Sequence, residues 1–176
     1  SLKAGTSSHS NVAIGACALS TTTTVGLQTA VGFCALKSST SGTGNTAVGY
    51  FSNKLNTTGT NNTAIGRETL EANTTGSHNV AVGYQSLTAN TLGGNNVAMG
   101  RQAGCSNTEG VDNTVVGALA FIDNTTGDSN TAVGRSALRN NETADNNTGV
   151  GANALCSNTT GANNVAVGFD ALSANT

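Results

Sequence analysis

Glycine recurs every 17 residues along the chain, and each of these glycines closes a near-copy of the phrase Asn-Thr-Ala-Val-Gly. A short, unbroken period is typical of proteins built from stacked repeats, in which each unit contacts only its neighbours. The glycines are Gly15, Gly32, Gly49, Gly66, Gly83, Gly100, Gly117, Gly134, Gly151 and Gly168. We therefore expect about ten equivalent units, and we number positions within each unit from the Asn of the phrase, so that this glycine is position 5.

A column of amide side chains occupies position 1 of the units. The residue there is Asn in every unit but one, which has Gln28 instead. A column of identical amides along a stack predicts a structural ladder. Its asparagines are Asn11, Asn45, Asn62, Asn79, Asn96, Asn113, Asn130, Asn147 and Asn164.

Positions 2 to 4 have the pattern of a short β-strand. Position 2 is Thr or Val, position 3 is mostly Ala, and position 4 is always apolar. Because side chains alternate along a strand, positions 2 and 4 share one face and positions 1 and 3 the other. We expect the apolar residue at position 4 and the Leu that usually stands at position 9 to form the core. The glycine at position 5 is expected to end the strand with a positive φ or a close approach to a neighbour.

The second half of the unit carries the turn phrase Asn-Thr-Thr-Gly, complete at 56–59, 73–76, 124–127 and 158–161. Asn and Thr can bond their own backbone, and Gly favours a turn. Seventeen residues suffice for one coil of a β-solenoid but not for a strand with a crossover helix, which takes about 30. The sequence predicts an all-β parallel β-solenoid over residues 1–176, and the incomplete units at both ends are expected to belong to a longer array.

Homo-oligomerisation is expected from the thinness of this core. Apolar residues make up 36% of the chain and are mostly Ala and Val, with no Trp. One Val and one Leu per unit bury little apolar surface compared with the entropy lost in ordering 17 residues. Because small side chains let backbones approach closely, we expect the alanine rows at positions 3 and 8 to be the contact surfaces between chains.

The phrase at 79–83, with its copies at 11–15 and 164–168, resembles the Asn-Ser-Val-Ala-Ile-Gly phrase of the YadA-like head repeat in trimeric autotransporter adhesins. The longer form, Asn-Thr-Ala-Val-Gly-Tyr-x-Ser-Leu followed by Asn-Thr-Thr-Gly, is similar to repeats in phage-type tail-fibre proteins and bacterial tail-fibre-domain proteins. The resemblance covers the whole chain. It implies a left-handed β-roll, a homotrimer, and a fibre, stalk or adhesin head that is extracellular, at a cell surface or on a virion. The longer period and the Leu at position 9 depart from the adhesin head, so a fibre is at least as strong an expectation.

Charge and composition argue against several other classes of function. Charged residues make up 9% of the chain and the net charge is -2, so we expect no nucleic-acid partner. The longest largely apolar run, 115–122, is far shorter than the roughly 20 residues of a membrane helix, so no membrane insertion is expected. His9 and His78 lie four units apart, and the acidic residues are scattered. We therefore expect no enzyme activity, no metal site and no cofactor.

Position 6 carries a row of aromatic and arginine side chains that is a candidate surface contact. Arg and aromatic residues on neighbouring units are close enough for cation–π contacts. Two interpretations are open: a stripe that contacts a host-surface receptor or glycan, and a ladder that packs on itself, which we prefer. The candidate residues are Tyr50, Arg67, Tyr84, Arg101 and Arg135.

Two further rows yield predictions. Cys17 and Cys34 both occupy position 7 in adjacent units, so they are a candidate disulfide. A threonine row at position 13 could form a flat array, which makes an ice-binding β-solenoid the alternative function. Its members are Thr23, Thr40, Thr57, Thr74, Thr91, Thr108, Thr125 and Thr159.

Overall fold

Ten short parallel strands form a single sheet. The computed structural model describes residues 10–21 and 26–175, and no helix occurs in these ranges. The strands are β1 (Val12–Ile14), β2 (Thr29–Val31), β3 (Thr46–Val48), β4 (Thr63–Ile65), β5 (Val80–Val82), β6 (Val97–Met99), β7 (Thr114–Val116), β8 (Thr131–Val133), β9 (Thr148–Val150) and β10 (Val165–Val167).

The order of strands in the sheet is the order in the sequence, β1 to β10. Each strand pairs in parallel with its own copy in the next unit, as Ala47 does with Ala64 and Ala64 with Ala81. Each unit therefore forms one coil of a β-solenoid. This confirms the predicted all-β parallel solenoid and its register of 17 residues.

The strand face that carries the Asn of position 1 points into the coil and forms one wall of the core. Position 3 lies inside, where Ala47, Ala64 and Ala81 are fully buried, and position 9 lies beneath it, where Leu70 and Leu87 are buried. Position 4 lies outside. The prediction that position 4 fills the core was therefore wrong, because the buried amide at position 1 turns position 3 inward and position 4 outward.

The alanine rows at positions 3 and 8 are internal rows of each chain. Ala18, Ala35, Ala103 and Ala137 at position 8 are fully buried within the chain itself, as is most of position 3. The prediction that these rows are contact surfaces between chains was therefore wrong. Small side chains are needed at these positions because the coil is narrow. The space beside each Leu holds little more than a methyl group.

A left-handed backbone conformation recurs at three positions of every coil. At positions 7, 9 and 17, residues other than glycine have φ between 47° and 64°. Leu70 and Leu87 are examples, although Leu is not a residue that favours this region. The strain is opposed in each coil by backbone hydrogen bonds to the adjacent coil, as from Leu70 N to Ser86 O at 3.1 Å.

The apolar core is interrupted at the third coil. Asn53 takes the place of Leu at position 9; it is fully buried, and its Oδ1 and Nδ2 atoms have no hydrogen-bond partner. The buried apolar residues fall into two clusters on either side of it. The smaller contains residues 18–47 and the larger residues 64–166.

Replacing Asn53 with Leu should stabilise the solenoid. The φ of Asn53 is 47°, and Leu36 and Leu70 in the adjacent coils have φ of 48° and 50°, so the backbone already suits Leu. We expect Asn53→Leu to raise the free energy of unfolding by about 1–3 kcal/mol, because an unpaired buried amide is exchanged for apolar contact. Denaturant unfolding followed by circular dichroism measures this change.

Asn56→Leu is the matched control for that substitution. Asn56 is equally buried, but its Nδ2 donates to Gly59 O at 3.0 Å and its Oδ1 accepts from Asn73 Nδ2 at 2.9 Å. The control should lower stability. A loss of stability in Asn53→Leu as well would show that Asn53 has partners that its surroundings do not reveal.

Candidate functional surfaces

The glycines at position 5 combine a positive φ with close contact between coils. All ten have φ between 125° and 140°. A Cβ built on Gly83 would lie 2.5 Å from the carbonyl oxygen of Gly100, which is much closer than real contacts allow. Both predicted reasons for glycine therefore hold at nine of the ten positions, and at Gly168 only the positive φ applies.

Gly168 allows the effect of the positive φ to be measured without the effect of the close contact between coils. It has a φ of 129°, but the nearest atom to a Cβ there is Ala171 Cβ at 3.9 Å. We expect Gly168→Ala to cost about 1–2 kcal/mol or less from backbone strain alone, and Gly83→Ala to cost at least about 2 kcal/mol more, since it adds a clash with backbone. Thermal unfolding of the two variants measures the difference. Equal losses would show that the coil-to-coil approach contributes nothing.

The amides at position 1 form the predicted ladder, and the structure shows how it works. The Oδ1 of Asn62 accepts a hydrogen bond from the backbone N of Asn79 at 2.9 Å, and its Nδ2 donates to the carbonyl of Gly76 at 2.8 Å. Each amide therefore joins one coil to the next while supporting a turn. Gln28 keeps the second bond, because its Nε2 donates to Gly42 O at 2.8 Å.

A second amide ladder runs along position 12. In this row, the Nδ2 of Asn73 donates both to Asn56 Oδ1 at 2.9 Å and to Gly76 O at 3.0 Å. The sequence indicated only the local turn bond of these residues, although their 17-residue spacing was a signal for a ladder between coils. The row comprises Asn56, Asn73, Asn90, Asn107, Asn124, Asn141, Asn158 and Asn175.

The row at position 6 packs on itself between Phe33 and Tyr84. The rings of Phe33 and Tyr50 stack at 5.5 Å with an interplanar angle of 13°. The guanidinium of Arg67 lies between the rings of Tyr50 and Tyr84, at 5.7 and 5.6 Å from their centroids. Consecutive side chains from Phe33 to Tyr84 therefore contact one another, while the three rings of this stretch remain 40–45% exposed. This stretch of the row packs as a ladder, and a receptor or glycan contact by its exposed side chains stays a prediction.

Two of the candidate contact residues lie outside that stack. Arg101 donates to Gln102 Oε1 at 3.1 Å. Arg135 is exposed, and at its own position the adjacent coils carry Ala118 and Ala152. The structure thus brings together Tyr50, Arg67 and Tyr84 only.

A polar ladder at position 7 runs beside the aromatic row. Glu68 accepts hydrogen bonds from Arg67 Nη2 at 2.8 Å and from Gln85 Nε2 at 2.9 Å, and Gln102 continues the row. The bond from Arg67, assisted by that from Gln85, lowers the pKa of Glu68 below its ordinary value. Lys54 lies close to this polar ladder. Its Nζ lies over the ring of Phe51 and forms an ion pair with Glu71.

The threonines at position 13 use their hydroxyl groups inside the fold. Thr57 donates to the carbonyl of Thr74 at 3.0 Å, and Thr74 donates to that of Thr91 at 3.1 Å. The same bond occurs at Thr40, Thr91, Thr108 and Thr125. Thr23 lies outside the described residues. The row therefore contributes to the stacking of coils.

The outer face of the sheet carries a continuous apolar row that is partly exposed to solvent. Ile65 and Met99 at position 4 are 41% and 44% exposed. This position forms an unbroken apolar row of ten residues, and position 2 beside it carries only Thr or Val. The sequence did not identify this face, because alternation along a strand shows which residues share a face but not which face is inside. The position 4 row is Ile14, Val31, Val48, Ile65, Val82, Met99, Val116, Val133, Val150 and Val167.

The two cysteines at position 7 are neighbours, as the register predicts. Cys34 N donates to Ala16 O at 2.9 Å, so the two cysteines stand at equivalent places on adjacent coils. Both are free thiols in this structure, so the candidate disulfide is not formed in it. Cys17 is exposed and Cys34 is buried.

Residues 10–21 and 26–175 contain no pocket and no cluster of His, Cys, Asp or Glu that could hold a metal ion. The Nε2 atom of His78 lies 3.3 Å from the Nδ2 atom of Asn61. His9 is outside the described residues. Within the same ranges, no helix has the length and apolar character to cross a bilayer.

Comparison of the chain with protein-family models, with curated proteins and with solved structures finds no significant match. The resemblance to trimeric adhesin heads and tail-fibre repeats therefore stays a hypothesis.

Proposed function

We propose that this chain is a non-enzymatic structural module, a section of a fibre, stalk or adhesin head at an exposed cell or virion surface. The observation that carries the proposal is the outer face of the sheet. Ten apolar side chains at position 4 stand in one row beside ten Thr or Val side chains at position 2, and much of this surface is open to solvent. Soluble monomers rarely expose an apolar surface that is continuous over their whole length.

The chemistry of this face favours copies of the same chain as the partner. It contains no charged residue and no hydrogen-bonding group except the Thr hydroxyls. A straight parallel sheet repeats one pattern on every strand, so an identical sheet placed beside it can match it strand by strand. The same face therefore replaces the alanine rows as the contact surface, and it would close the thin core of each coil with a second apolar layer.

A trimer is the assembly that the proposal favours. Three solenoids that turn their sheet faces toward a common axis bury all three faces and leave the polar turns on the outside. Those turns carry Asn, Ser, Thr and the charged residues, as at Asp112, Asp128 and Asp145. The result would be a rod with a dry centre and a hydrated surface, which suits a shaft that holds a binding tip away from its base.

Mass measurement of the protein in solution tests this proposal. We expect sedimentation or native mass spectrometry to give three times the 17.3 kDa chain mass. The double substitution Val82→Lys and Met99→Lys should yield monomers that keep their β circular dichroism, because both side chains point outward at position 4 and position 3 is untouched. A burial cost of several kcal/mol for unpaired charges explains the effect.

The matched control places the same charges on the turns. Thr75→Lys and Thr126→Lys alter exposed residues at position 14 and should leave the trimer intact. A wild-type monomer would contradict the proposal. So would a trimer that survives the Val82 and Met99 substitutions, since the interface would then lie elsewhere.

The ice-binding alternative makes an opposite prediction for the same sample. Its threonine row donates its hydroxyl protons to carbonyls of the next coil, from Thr40 to Thr125, which leaves the hydroxyls committed to the fold. We expect no thermal hysteresis. Ice-crystal shaping by a stable monomer would favour the alternative and overturn the structural module.

A further inference from the structure

The first two coils hold a pair of thiols in matched geometry. β1 and β2 pair in register, with Ile14 opposite Val31, and the register continues to position 7, where Cys34 N donates to Ala16 O at 2.9 Å. Cys17 and Cys34 have φ of 60° and 55°, so their side chains leave the backbone in the same direction.

This geometry suits a disulfide. Stacked parallel strands lie about 4.8 Å apart, which falls within the Cα separations of about 4.4–6.8 Å that disulfides span. One thiol is accessible and the other is enclosed: Cys17 is exposed and Cys34 is buried. An oxidant can therefore reach Cys17 first, and Cys34 is already placed to resolve the product.

The place of the pair in the fold indicates what a bond would do. Ala18, Leu19, Ala35 and Leu36 belong to the smaller apolar cluster, which the buried and unpartnered Asn53 separates from the larger one. The first coils thus share little apolar burial with the rest of the array. In a stacked array each coil is held by its neighbours alone, so a cross-link between coils one and two restrains the smaller of the two apolar clusters.

We propose that Cys17 and Cys34 form a reversible disulfide that covalently links the first coil to the second under oxidising conditions. The oxidant is a small-molecule or protein disulfide, such as oxidised glutathione. The Cys17 thiolate attacks one sulfur of the oxidant, forming a mixed disulfide and releasing one thiol. The Cys34 thiolate then attacks the Cys17 sulfur and releases the second thiol. Two cysteine protons are lost, and the oxidant is reduced by two electrons to two thiols.

The remaining cysteines serve as internal controls. Cys105 and Cys156 share position 10 but lie three coils apart, roughly 14 Å, so they cannot reach each other within one chain. Their Sγ atoms contact Ile122 O at 3.8 Å and Ser173 O at 3.5 Å. They should stay reduced in a glutathione buffer that bridges the first pair.

Peptide mapping after incubation in mixtures of reduced and oxidised glutathione tests the bond. The only Lys or Arg residues that flank the pair are Lys3 and Lys37, so one tryptic peptide, 4–37, contains both cysteines. We expect this peptide to lose two hydrogen atoms in mass and to resist alkylation, and reduction should restore both thiols. Peptides carrying Cys105 and Cys156 should stay alkylatable.

Hydrogen exchange measures the consequence for the fold. In the oxidised protein, exchange at the amides of β2 should slow by about 100-fold relative to the reduced protein, the effect expected of closing a loop of this length. Exchange in β7 should not change. Cys17→Ser and Cys34→Ser should each abolish the slowing without unfolding the chain, because Ser136 occupies the same position in another coil and is buried there.

Three results would overturn the proposal. The first is a peptide 4–37 that carries glutathione on Cys17 with Cys34 still alkylatable. The second is a bond that joins two chains rather than two coils of one chain. The third is an intramolecular bond that leaves exchange at β2 unchanged. All three can be read whether the protein is a monomer or an oligomer, so they are independent of the proposed function.

Discussion

The structure depends on the hydrogen bond from one coil's backbone to the side-chain amide of the coil before it. The backbone N of Asn79 donates to Asn62 Oδ1 at 2.9 Å, and the backbone N of Asn96 donates to Asn79 Oδ1 at 3.0 Å. An amide that accepts from one backbone group and donates to another can be buried without an unpaired polar atom. Because these amides must lie inside, the strand is turned so that position 3 also lies inside. The small alanines of position 3 and the Leu that most coils carry at position 9 then follow.

The same constraint places the apolar surface on the outside. Since position 1 uses the inner face, the Val, Ile and Met side chains of position 4 face solvent, and the coil cannot bury them itself. A solenoid held by amide ladders therefore keeps a free apolar face along its whole length. That face connects the fold to the proposed assembly. Tyr50 and Tyr84 stand outside the core at position 6, where they stack with Arg67.

Much of the fold could be predicted from the period alone, because a fixed spacing forces equivalent residues onto equivalent places in adjacent coils. The sheet, the register, the ladder at position 1 and the placement of Cys17 and Cys34 on adjacent coils all follow from it. The inner face could not be predicted, because a Val looks like a core residue and an Asn does not. The left-handed conformation of Leu70 could not be predicted either, because Leu is not a residue type that favours this conformation. Asn53 marks the break in the core, but only its burial reveals that its amide lacks partners.

Scalar couplings across hydrogen bonds test the central claim most directly. In protein labelled with ¹⁵N and ¹³C, we predict a coupling between the backbone nitrogen of Asn79 and the side-chain carbonyl carbon of Asn62, and its equivalent between Asn96 and Asn79. Protection of these amides from hydrogen exchange should accompany it. If both couplings are absent and the two amides exchange as they would in an unstructured chain, the ladder does not hold the coils together and the account is wrong.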